Sequence, residues 1–380
     1  MENEIEHFDF EGARADVRGY CQGTGVKEYH AMIHATNPLM SYIEQLDCVL
    51  EAYSRLLETK PGAQAVFKRY FLSDAANQAD QVALTDVTDC AKSIIQQAPL
   101  DGTKVALWVY LMTDVQTGLT KSGLYSVSHG AYRHYWNGSA CNLAANSEYQ
   151  TRLLFNEYVM QLMEEGCTLK DNAVRTWLFV NDVDLNYGGV VRARNQVFFT
   201  QGLKHDTHFI ASTGIGGRQQ DPNVLCQMDN YAVKGLKPEQ VHYLYAPSHL
   251  NRTSDYGVSF ERGTYIDYGD RRHVFISGTA SINNKGQIMY EGDVVKQTRR
   301  MWENIETLLN EAGCSFDDVG PMIVYLRDSS DYHVVRALYE ERFAGRPYVI
   351  VHAPVCRPGW LVEMECMAVK EAEHPEFEAL

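Results

Sequence analysis

No run of about 18 apolar residues occurs in the 380-residue sequence, so no segment of it reads as a membrane-crossing helix. The opening residues, MENEIEHFDF, lack both a positively charged start and an apolar core, which argues against a secretory leader and sets the expectation of a cytoplasmic protein. Cations are scarce as well. Against 49 aspartates and glutamates stand 34 lysines and arginines, for a net charge of −15, and no basic stripe breaks the acidic balance. Nucleic-acid binding needs clustered cations that displace counterions from phosphates, so no nucleic-acid partner is expected. The nine cysteines form no C-x-x-C pair, which removes the usual zinc and thioredoxin-like motifs, and their odd number fits reduced thiols. His30 with His34, and His205 with His208, have spacings a metal site could use, but no third ligand group accompanies them. Neither a metal nor an organic cofactor is expected.

What the sequence does contain is one pattern written three times. AVFKRYFLSD (residues 65–74), AVRTWLFVND (173–182) and PMIVYLRD (321–328) each read as an apolar strand ending in aspartate. A long amphipathic helix precedes each one, over about residues 39–57, 147–164 and 293–311. After each aspartate come a second helix, a strand, a turn and a last apolar strand, at residues 104–112, 223–233 and 360–369. The unit is therefore strand, helix, strand, helix, strand, strand: an α+β sheet with one face under two helices. Breaks in the apolar pattern near residues 117–123 and 234–239 divide the chain into units 1–120, 121–238 and 239–380.

The third copy carries the chemistry. In VHAPVCRPGWLVEMECMAV (residues 351–369), Glu363 and Glu365 lie two apart on a strand and so leave the same face. Carboxylates in a run of valine, methionine and leucine need a reason, because burying an ionised group without partners is costly. At the matching positions the second copy has Gln227 and Asp229, and the first has no acid. Cys356 and Arg357 precede Pro358 and Gly359, which predicts a hairpin presenting a thiol and a guanidinium near the acids. The STGIGG stretch of the second copy (residues 212–217) lacks the lysine of a phosphate-binding loop, leaving a tight turn or a close backbone approach.

The third copy, through HVFISGTASI (273–282), residues 292–313, YLRDSSDYHVVRALYEERF and VEMECMAV, resembles the RidA/YjgF superfamily over about 130 residues. Those proteins are homotrimers with sites between subunits. The resemblance implies three tandem RidA-like, chorismate mutase-like units closed into an intramolecular pseudo-trimer barrel, with sites where its own copies meet. Members that hydrolyse enamines and imines use an arginine where this chain has Tyr348. HAPVCRPGWLVEME, ISGTASI and DYGVSFERG (255–263) are similar to the chorismatase branch, as are VRTWLF and STGIGG in the second copy. That likeness implies Glu363 as catalytic acid, with Cys356 beside it lining the ring pocket. It also implies Tyr256, Arg262, Gly278 and Arg336 at the substrate, and Arg357 is a further cation for a substrate with two carboxylates. The expected activity is release of pyruvate from chorismate or a related small enol-ether carboxylate. The alternatives are an imine deaminase and a non-catalytic binding protein of the same fold, in each case a pseudo-trimeric monomer or a homo-oligomer of it.

Overall fold

The computed structural model describes residues 5–21 and 25–380, the side chain of Tyr256 excepted. The first sheet holds β1 (Ile5–Phe10), β2 (Ala13–Tyr20), β3 (Glu28–Ala35), β4 (Gln64–Leu72), β5 (Ala91–Gln96) and β6 (Val105–Met112), with α1 (Tyr42–Glu58) and α2 (Ala75–Thr85) flanking β4 in sequence. The second holds β7 (Gln116–Leu119), β8 (Tyr125–His129), β9 (Tyr132–Ala140), β10 (Ala173–Val180), β11 (Ala211–Gly216) and β12 (Cys226–Lys234), with α3 (Ser147–Glu164), the single turn α4 (Leu169–Asn172) and α5 (Val183–Thr200). The third holds β13 (Val241–Leu244), β14 (Gly263–Asp267), β15 (Arg271–Ala280), β16 (Val319–Leu326), β17 (Tyr348–His352) and β18 (Val362–Glu371), with α6 (Val294–Glu311) and α7 (Tyr332–Arg342).

All three share one strand order, β1-β2-β3-β6-β4-β5 in the first, so the last strand of each unit inserts between its third and fourth. Each sheet thus has six strands where the sequence pattern implies four. The additional pair leads each unit, and apart from β2 these strands are short or half exposed: β7 has four residues, and β1 alternates exposed with half-buried positions. Too few apolar positions repeat there to register as a period.

The expected hairpin at residues 351–369 is also corrected. β17 pairs parallel with β16, whereas β18 pairs antiparallel with β16 on its other side. The segment between them crosses the end of β16, tied there by Ala353 N to Leu326 O and Arg327 N to Leu361 O. Two apolar strands and a Pro-Gly turn look the same in sequence whether they pair or cross a third strand. The crossing carries Cys356 and Arg357 to the boundary with the second unit, where Val355 bridges to Ile215.

Strand side chains alternate, so each sheet has an outward and an inward face. On β6, Val105, Leu107, Val109 and Leu111 pack beneath α1 and α2, while Ala106, Trp108, Tyr110 and Met112 join a central cluster drawn from all three units. Aromatic rings fill that centre: Phe67 of the first unit lies 5.0 Å from Trp136 of the second, which stacks on Tyr231 at 4.2 Å. Helices are outside, sheets face inward, and each unit borders both others. The seam between first and second units is tight, since a Cβ on Gly138 would come within 2.3 Å of Lys92 O. The other two seams open into cavities, and a further one of about 240 Å³ lies where Ser73 and Gln96 of the first unit and Val180 and Gly216 of the second meet Pro354 of the third.

Candidate active site

Glu363 and Glu365 leave the inward face of β18, as the alternation requires, but they have different fates. Glu365 takes a hydrogen bond from Trp177 Nε1 at 2.7 Å and an ion pair from Arg175 Nη2 at 2.9 Å, both from the second unit. Arg69 of the first unit stands 3.6 Å away and itself pairs with Asp229 at 2.8 Å. Two buried cations therefore meet two buried anions where all three units join.

Glu363 is buried as well, with 4% of its surface exposed, yet no described side chain holds its carboxyl in a hydrogen bond or ion pair. It faces a cavity of about 250 Å³ on the seam between the second and third units. Gly278 lets it fit: a Cβ there would lie 2.2 Å from Glu363 Oε1. Burial, followed by the charge of Glu365, raises the Glu363 pKa to about 8, while Arg262 and Arg175 pull less strongly the other way. A carboxyl in this state holds its proton at neutral pH and can deliver it.

Arginines surround the acid. Arg262, buried on the third unit, donates to Asn251 O from Nε at 3.2 Å and from Nη2 at 3.0 Å. Arg357 lies with its guanidinium 4.9 Å from the Trp360 ring. Across the seam, Arg194 of α5 is 1% exposed, and its Nε and Nη2 atoms meet no hydrogen-bond partner among the described residues. The Phe260 ring lies 5.7 Å from the Arg194 guanidinium and 5.5 Å from that of Arg262. Cys356 lines the same cavity, and burial, reinforced by the Glu363 charge, lifts its thiol to about 12. It remains a neutral wall rather than a thiolate nucleophile.

The structure thus brings together Glu363, Cys356, Arg262, Gly278 and Arg357. Arg336 is the exception. It sits on α7, paired with Glu340 at 2.6 Å, and lines a separate cavity on the seam between the third and first units. The reason is topological: α7 and β17 flank the edge of the third sheet that faces the first unit. Tyr256 ends the 3-10 turn Thr253–Tyr256, and its side chain lies outside the described residues. STGIGG is no turn: it covers most of β11, where Gly214 lines the cavity and Gly216 packs against Pro354, so the close backbone approach is the correct alternative.

Arg194 and Tyr187, which also lines the cavity, were not anticipated. A signal for Arg194 exists in the sequence, because it falls on the buried stripe of α5 with Val190, Ala193, Val197 and Phe198. A charge on an apolar stripe marks either a buried ion pair or a site. Among the described residues, no group of three or more His, Cys, Asp or Glu could hold a metal, and no helix is long and apolar enough to cross a membrane.

The third unit matches the family described as Endoribonuclease L-PSP over residues 262–370. A RutC family protein of Pyrococcus abyssi is 36% identical over 100 residues, covering 26% of this chain and 79% of its own. A 3-hydroxybenzoate synthase of Streptomyces hygroscopicus is 31% identical over 215 residues, which is 50% of this chain and 62% of that enzyme, less than two thirds of its length. A chorismatase crystal structure superposes with a TM-score of 0.63 over 80% of this chain and 93% of that one; at 19% identity this is a likeness of fold. Fold and site together define a pseudo-trimer of α+β units with an acid in an inter-unit cavity. The chain belongs to the endoribonuclease L-PSP family, within the RidA/YjgF superfamily, in a three-unit form.

Proposed function

We propose that the protein is a chorismatase-like enzyme that releases pyruvate from chorismate or a closely related enol-ether dicarboxylate, with Glu363 as the acid. One observation carries this reading: a buried, raised-pKa carboxyl opens onto a cavity walled by Arg194, Arg262 and Arg357. Such a cavity favours a ligand with more than one negative charge, and a planar guanidinium suits a carboxylate. The alignment with 3-hydroxybenzoate synthase supports the substrate class.

In the proposed reaction Glu363 gives its proton to the methylene carbon of the enol ether, leaving an oxocarbenium ion at the adjacent carbon. Water adds there and loses a proton, and the resulting hemiketal breaks its carbon–oxygen bond to give pyruvate and the ring alcohol. Glu363 recovers its proton from solvent. The acid form is the active one, so the rate is expected to be level below pH 8 and to fall about tenfold per pH unit above it. Incubation with chorismate, with pyruvate followed through lactate dehydrogenase and NADH, tests the reading; no release above the protein-free rate overturns it.

Arg194→Gln separates binding from folding. If the unpaired guanidinium awaits a substrate carboxylate, KM rises by roughly tenfold or more with kcat little changed. Stability of the free protein stays level or increases, because a buried cation whose Nε and Nη2 meet no partner among the described residues has been removed. A loss of stability with KM unchanged would assign Arg194 a structural role instead.

A further inference from the structure

The cavity on the seam between the third and first units, about 360 Å³, exceeds the one at Glu363 and has no part in the proposed reaction. It occupies the equivalent place. At the acid site α5 and β11 of one unit face β15 of the next, and here α7 and β17 face β2 and β3. Strand register then shows what has changed. Ala280 pairs with Glu363 across β15 and β18, and the matching pair across β3 and β6 is His34 with Ala106. The acid is gone from the last strand, and a histidine stands on its neighbour.

The charge pattern differs too. The acid cavity gathers three arginines around one carboxyl that holds its proton. Here each wall carries both signs: Arg14 lies 3.2 Å from Asp16 on the first unit's wall, and Arg336 lies 2.6 Å from Glu340 on the third unit's. On the first unit's side, buried His34 lies with Nδ1 3.4 Å from Asp101 and Nε2 3.0 Å from the Tyr348 carbonyl. Burial would raise the Asp101 pKa, but bonding from His34 and Thr103 outweighs it and holds the carboxyl at about 2. Asp101 therefore stays ionised. An anion entering alone must draw a guanidinium away from its carboxylate, leaving buried Asp16 to His7 at 2.6 Å or half-exposed Glu340 to water. A ligand with both signs can lie across one pair, its carboxylate on the guanidinium and its ammonium on the carboxylate, so that both partners keep a counter-charge.

We propose that this cavity is a second ligand site, for a small zwitterion that presents a carboxylate to Arg14 or Arg336 and an ammonium group to Asp16, Glu340 or Asp101, as an α-amino acid does. The proposal is independent of the reaction at Glu363.

The test uses the full chain and the twenty common L-amino acids, measured by thermal shift and by titration calorimetry. For the tightest binder, the deaminated acid and the decarboxylated amine are measured beside it. Binding of at least one amino acid is expected, weakened about tenfold or more in each single-charge analogue and in both Arg336→Gln and Glu340→Gln, but unchanged in Glu363→Gln. Arg336 and Glu340 are half exposed, so the melting temperature of the free variants should match the parent; if either variant fails to fold, Arg14→Gln takes its place. The proposal fails if none of the twenty binds, if the deaminated acid binds as well as its amino acid, or if Glu363→Gln removes the binding.

Discussion

Glu363→Gln should lower the rate of pyruvate release by roughly 10³-fold with little change in KM, because the amide keeps the shape of the side chain but has no proton to deliver to carbon. The same substitution should alter the dependence of stability on pH in a sense that can be worked out. In the folded chain the Glu363 carboxyl titrates at about 8 and in the unfolded chain near its ordinary value of 4.5. The unfolded state therefore gives up its proton first as pH rises. The contribution of Glu363 to stability is whole below pH 4.5 and is lost progressively up to about pH 8. Glutamine does not titrate, so at pH 9 the variant should be more stable than the parent, relative to their difference at pH 4, by about 4 kcal/mol. Denaturant unfolding at the two pH values measures this. A variant that keeps most of its activity, or shows the parent's pH dependence of stability, would mean that Glu363 is ordinarily ionised.

The second large effect concerns the charges at the junction of the three units. Arg175→Met should destabilise the protein by about 3–5 kcal/mol, since it leaves Glu365 buried with only Trp177 at bonding distance and Arg69 at 3.6 Å. The double variant Arg175→Met, Glu365→Leu should recover a large part of that loss, because apolar groups of similar volume need no counter-charge. Arg175 Nη2 also donates to Thr213 Oγ1 at 2.5 Å, and that oxygen accepts from Gly278 N at 2.9 Å, beside the Glu363 carboxyl. The single variant should therefore lose activity at temperatures where it is still folded. Equal stability of parent and single variant would show that the junction is hydrated and screened.

The sequence by itself determined the local elements. Strand and helix periods depend on neighbours in the chain, and for that reason the strands β4, β10 and β16, which stop two residues short of Asp74, Asp182 and Asp328, and the helices α1, α3 and α6 were legible. So was the shared face of Glu363 and Glu365, which follows from the alternation of a strand alone. What those two carboxyls do was decided only in three dimensions. Arg175 and Trp177, about 190 positions away, claim Glu365, while Gly278 and an open seam leave Glu363 facing a cavity. Tertiary structure likewise sent β17 and β18 to opposite sides of β16, placed Arg336 on the far seam and brought Arg194 from another unit to the acid. The physical reason is common to these cases. Periodicity reports which face of an element is buried, but the partner it is buried against is set by sheet order and by the closure of three units on one another, to which no local pattern is sensitive.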